Sequence, residues 1–121
     1  MKPGDVFTYT FIITEDIYRG FIALFHDNNP LHTDDTFAQS KGFVQKVMHG
    51  NILNGFISYF IGECLPVKNV IIHTQEIKYH RPVYLNEALV FHAVVGNVFE
   101  SVNTAELKYY FENQNKTKVA R

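Results

Sequence analysis

The chain has 121 residues, enough for one hydrophobic core and short for two. Apolar residues make up 46% and aromatics 15%, with eleven Phe, seven Tyr and no Trp, a composition that excludes a disordered chain. Eleven Lys plus Arg against twelve Asp plus Glu leave a net charge of -1 with no run of like charges, which speaks against a nucleic-acid partner.

Residues 6–13 alternate, with Phe7, Tyr9, Phe11 and Ile13 on one face and Thr8 and Thr10 opposite, the period of a half-buried strand. Thr14 can cap a helix whose positive first turn suits Glu15 and Asp16. Ile17, Phe21, Leu24 and Phe25 then recur at helical spacing, and the helix should stop near His26. Pro30 restricts Asn29 to extended conformations, so residues 27–33 read as loop, followed by a helical turn around residues 34–39 and a break at Gly42. A polar loop between two apolar elements invites a functional reading.

Residues 50–64 predict a second helix, apolar on more than half its circumference through Ile52, Leu53, Phe56, Ile57, Phe60 and Ile61, and ended by Pro66. A helix this apolar should be buried, but it is interrupted by Asn54, Gly55 and Ser58 and does not read as a membrane span. Strands are expected over residues 70–80, 87–95 and 102–111, with hairpin turns at Arg81-Pro82, Leu85-Asn86 and Gly96-Asn97 and a polar, linker-like tail at 113–121. His73, His80 and His92 fall on strand patterns with no acidic partner at a telling distance, which makes them structural or surface residues. The order of elements describes one α+β domain, residues 1–121, in which a sheet must cover the apolar helix. A single cysteine, Cys64, cannot form an internal disulfide, no Cys/His spacing suggests a zinc site, and the N-terminus has no apolar signal core. The expectation is a cytoplasmic chain without a metal.

One segment carries chemistry. Phe25-His26-Asp27-Asn28-Asn29-Pro30-Leu31-His32-Thr33-Asp34 contains Asp-x-Asn-Pro-x-His-x-Asp, His49-Gly50 follows His32 by seventeen residues, and Ser58 comes nine after His49. Together with Tyr79-His80-Arg81-Pro82-Val83, these residues resemble the MaoC-like, (R)-specific enoyl-CoA hydratase family over about residues 5–112. The resemblance implies a hot-dog fold, a curved antiparallel sheet wrapped around one long helix. It also implies a catalytic dyad of Asp27 and His32, supported by Asn29, with His49, the Gly50 amide and Ser58 at the substrate. Its substrate would be a trans-2-enoyl thioester on coenzyme A or acyl carrier protein, with no metal or redox cofactor. Departures are His26 where glycine usually precedes the aspartate, Asn51 where an apolar residue follows His-Gly, Asn86-Glu87 in place of Gly-Asp, and an early end at Arg121.

The residue types suit the reaction. A nucleophile adds at C3 of a double bond conjugated to a thioester, and the developing charge moves to the thioester oxygen. A carboxylate and an imidazole on one rigid turn can share a single water and return a proton to C2. The backbone amides and positive dipole end at the start of a helix suit the enolate oxygen. Taken singly, Asp27 would be a helix-ending Asx turn, His32 a satisfied loop histidine and Ser58 a hydroxyl bonded to its own helix. Their joint spacing favours the dyad, while a hot-dog thioesterase and a non-catalytic acyl-thioester binding module are the rival readings. The Phe and Tyr stripes should be core first and acyl-tunnel lining second. A sheet with an exposed edge would dimerise by extension.

Overall fold

Exposed and half-buried residues alternate without exception along β1 (Val6–Ile12), the two-residue period that its Phe and Tyr positions predict. The computed structural model describes residues 1–121, which fall into two compact units. The first comprises Met1–Phe11, Leu65–Arg81 and Ala88–Arg121, and the second Ile12–Cys64 and Pro82–Glu87.

The first unit is a four-stranded sheet in the order β1-β2-β3-β4, with β2 (Ala88–Phe99), β3 (Thr104–Glu112) and β4 (Lys118–Ala120). Leu89, Phe91, Ala93 and Val95 alternate into the core along β2. Phe91 meets Phe111 at 5.0 Å and Phe11 edge-on at 5.9 Å between ring centroids. β2 pairs antiparallel with β3 from Val90↔Glu112 to Val95↔Leu107, and the register slips between Val95 and Val98.

That slip corrects one expectation. Gly96-Asn97 is an irregularity inside β2 rather than a hairpin turn: the strand continues through both residues to Phe99 while its register against β3 shifts. The turn comes later, in a short 3₁₀ stretch, Glu100–Val102, closed by Asn103 in the left-handed region at φ 50°. His92 has the acidic partner that sequence spacing hid: its Nε2 lies 3.0 Å from Glu112 on β3, diagonal to the His92↔Tyr110 pair.

Two further expectations fail here. Residues 70–80 form no strand, although Tyr79 bridges Ala120 and Lys78 exchanges backbone hydrogen bonds of 2.6 and 3.0 Å with Arg121. Ile71 is left 83% exposed, so the β-branched run has strand character without a ladder to join. The tail at 113–121, read as linker-like, instead turns on the Asn113 side chain, which accepts from the Asn115 and Thr117 amides, and enters the sheet as β4. Val119 and Ala120 are fully buried there, and two apolar residues inside a polar stretch were too weak a pattern to show it.

The second unit holds α1 (Glu15–Phe25), α2 (Pro30–Thr33), α3 (Asp35–Ser40) and α4 (Asn51–Tyr59), which continues as a wider π-helical turn over Phe60–Cys64. Thr14 caps α1 through the Ile17 amide at 3.3 Å, and His26 closes it in the left-handed region at φ 62°. Residues 27–33 are loop only as far as Asn29: Pro30 opens α2, since its fixed φ and missing N–H suit the first helical position. Ile52, Leu53, Phe56 and Ile57 bury α4, and α1 packs against it. Backbone bonds from Met48 to Val83 and from Asn86 to Ile13 fasten Pro82–Glu87 into this unit.

Candidate active site

The segment between α1 and α3 is held by its own side chains. Asp27 Oδ1 accepts from the Asn29 amide at 3.2 Å, Asn29 Oδ1 accepts from the Leu31 amide at 2.9 Å, and the Thr33 hydroxyl donates to the Asn28 and Asn29 carbonyls. Asn29 thus caps α2, a supporting role its place before Pro30 allows. The capped turn carries His32, and the Asx turn fixes the backbone at Asp27.

Three groups meet there. Asp27, His32 and His49 each bring a ligand-type atom within 4.8 Å of the other two, and the two imidazole rings lie 4.2 Å apart. Their surroundings differ: Asp27 is exposed, His32 half-buried and His49 only 3% exposed. His32 Nδ1 sits 2.7 Å from the Val47 carbonyl. A carbonyl only accepts, so Nδ1 carries the hydrogen, and in the neutral ring Nε2 is the nitrogen left with a lone pair for general-base work.

His49 is fixed in the same manner with the nitrogens exchanged. Nε2 donates to the Asp27 backbone carbonyl at 3.0 Å, while the buried Nδ1 finds no partner. Burial pushes the His49 pKa below its ordinary value, so the ring stays neutral and holds the Asp27 backbone as an uncharged donor. Its Nδ1 is a buried acceptor beside Asp27 and His32. If a cation were held by the three groups, His32 Nε2 and His49 Nδ1 would be the ring ligands, since the other two nitrogens are engaged by carbonyls.

Gly50 is the N-cap residue of α4 and directly follows His49, so the start of that helix adjoins the triad. Ser58, eight residues on, is exposed and does not line the groove described below. One contributor escaped sequence reasoning. Tyr18, 5% exposed, donates its hydroxyl to the His32 carbonyl at 2.6 Å, and burial raises its pKa. A tyrosine on the core side of an amphipathic helix needs a partner for its hydroxyl, and that need was the available signal.

A groove of about 910 Å³ opens between α1 and α4 and reaches Asp27. Phe21, Leu24 and Phe25 from α1 and Phe56 from α4 are among its walls. The α1 stripe expected as core therefore faces an open channel, with Leu24 75% and Phe25 69% exposed.

The chain is similar to known proteins. The profile of the family described as MaoC like domain matches residues 4–116. An (R)-specific enoyl-CoA hydratase from Rhodospirillum rubrum is 33% identical over 90 residues, 74% of this chain and 62% of that protein. A mitochondrial 3-hydroxyacyl-[acyl-carrier-protein] dehydratase from Arabidopsis thaliana is 26% identical over 90 residues, 74% of this chain and 53% of its own length. The chain thus spans little more than half the length of these curated relatives. Among solved structures, the (R)-hydratase from A. caviae involved in PHA biosynthesis superposes with a TM-score of 0.90 at 25% identity, covering 99% of this chain and 91% of that one. The fold is accordingly the α+β hot-dog expected from the motif. With the signature turn, the histidine before α4 and a profile that runs almost end to end, the chain belongs to the MaoC-like domain family.

Proposed function

We propose that this chain catalyses the (R)-specific hydration of trans-2-enoyl thioesters, carried by coenzyme A or acyl carrier protein, or the reverse dehydration. The observation that carries the reading is the convergence of Asp27 and His32 within 4.8 Å, with the His32 ring locked so that Nε2 can accept a proton. In this scheme the pair takes a proton from one water, its hydroxyl oxygen adds to C3, and a proton returns to C2. Both groups lie on one turn, so water is delivered to one face of the double bond. Asn29 supports the turn, His49 fixes the Asp27 backbone, and the Gly50 amide at the head of α4 receives the enolate oxygen; one such donor contributes roughly 3–4 kcal/mol to the transition state. Ser58 has less support, because it is exposed and outside the groove. No metal or redox cofactor enters the scheme.

The active species in this reading is a cytoplasmic homodimer. No helix is long and apolar enough to cross a membrane, and the segment with Ile71 83% and Ile72 43% exposed offers apolar side chains to a second copy. Light scattering behind a sizing column measures the dimer.

Crotonyl-CoA tests the activity. Loss of the conjugated chromophore without release of free thiol is expected, and chirality of the product should be (R). Free thiol would mean a thioesterase, and binding without turnover a carrier module; either result overturns the hydratase reading.

A further inference from the structure

Gly20 on α1 and Gly55 on α4 both line the groove that Asp27 also lines. Inside a helix, glycine is less favourable than alanine by about 1 kcal/mol, so two of them in helices of eleven and nine residues call for a cause. The usual structural causes are missing. Neither has a positive φ, and a Cβ built at either position meets nothing within 4 Å. What side chains at these two positions would occupy is the groove itself.

The groove's chemistry and its end point select the guest. Leu24, Phe25 and Phe56 give it apolar walls, and the first two are exposed to a degree that large apolar side chains avoid unless something covers them. Its volume, about 910 Å³, lies near the top of the usual range for small-molecule sites. Its continuity with Asp27 favours the molecule whose reacting carbon must stand beside that carboxylate. We infer that Gly20 and Gly55 are specificity-determining residues that keep the groove open for acyl chains well beyond the four carbons of a crotonyl group, an inference that rests on the hydratase reading above. A chain leaving Asp27 along the groove passes between the two helices where the glycines leave room.

The test uses the full chain and the variants Gly20→Leu, Gly55→Leu and Gly55→Ala, assayed with crotonyl-CoA and with progressively longer trans-2-enoyl-CoAs up to dodecenoyl-CoA. The ratio of kcat/KM for the longest substrate to that for crotonyl-CoA should fall about tenfold or more in each leucine variant, and less in Gly55→Ala. Melting temperatures should hold or rise, because leucine and alanine are better helix formers than glycine. A ratio unchanged in active leucine variants overturns the inference while leaving the hydratase reading in place. So does a change in molecular mass without a change in ratio, which would make the groove a contact between copies. A folded wild-type chain that hydrates no enoyl-CoA defeats the hydratase reading itself, and the inference with it.

Discussion

The core strands of the sheet unit and the end of α1 in the helical unit place large apolar side chains in contrasting surroundings. In the first, Leu89, Phe91 and Phe111 are at most 1% exposed, and the Phe91 and Phe111 rings pack against each other at 5.0 Å. In the second, Leu24 and Phe25 are 75% and 69% exposed, within three residues of Asp27. The polar groups differ as well. His92 and Glu112 in the sheet satisfy each other at 3.0 Å, whereas His49 in the helical unit keeps a buried nitrogen without a partner. At the site, His26 is held at φ 62° one residue before Asp27. A region whose groups are paired and covered contributes stability; one that leaves apolar walls uncovered beside a cluster of ionisable groups is shaped for a ligand.

The sharpest way to break this contrast is at Asp27. Asp27→Asn removes a proton acceptor but keeps an oxygen for the Asn29 amide, so turnover of crotonyl-CoA should fall roughly 10²- to 10⁴-fold with the melting temperature unchanged. Near-normal turnover would remove Asp27 from the chemistry. The reciprocal experiment is Phe111→Ala. Emptying this fully buried site should lower unfolding free energy by about 3–5 kcal/mol in a urea titration, with kcat of the folded protein retained. A loss of kcat as large as that of Asp27→Asn would show that the two units do not divide the work.

A smaller effect, of opposite sign, is expected next to the dyad. Glycine adopts φ 62° without the Cβ clash that a left-handed residue otherwise carries, so His26→Gly should stabilise the protein by about 0.5–1 kcal/mol after the entropy that glycine loses on folding. Thermal unfolding measures it, and a lower melting temperature would mean that the His26 side chain makes contacts worth more than the strain. Turnover measured on the same variant then shows whether the bulk beside Asp27 matters to the reaction.

How much of this was legible beforehand follows from which forces were local. The alternation in β1, the Thr14 cap and the 3.6-residue stripe of α4 are written in neighbouring residues, and all three stand in the structure. So is the motif that brings Asp27 and His32 together. Features that depend on distant partners were not legible. Residues 70–80 have strand composition but no ladder, Val119 and Ala120 are buried from within a polar tail, and the register shift around Gly96 depends on pairing with β3. The locking of His32 by Val47 spans fifteen residues, and that of His49 by the Asp27 carbonyl spans twenty-two; neither contact leaves a local trace. The α1 stripe was visible as a stripe, yet periodicity does not say whether a face meets a core or an open groove.

The weakest effect tests the buried histidine and depends on pH. Burial holds the His49 pKa below its ordinary value of about 6.5, so between that value and the folded one the unfolded chain binds more protons than the native chain. Stability must then fall as pH drops through about 6.5 and level off once His49 titrates in the folded state. His49→Gln retains a donor for the Asp27 carbonyl and does not titrate, while every other ionisable group is common to both proteins. Urea titrations at about pH 7.5 and about pH 5 should therefore show the wild type losing more stability on acidification than the variant. Identical losses would mean that His49 is as easily protonated folded as unfolded, and the neutral ring that anchors Asp27 would have to be abandoned.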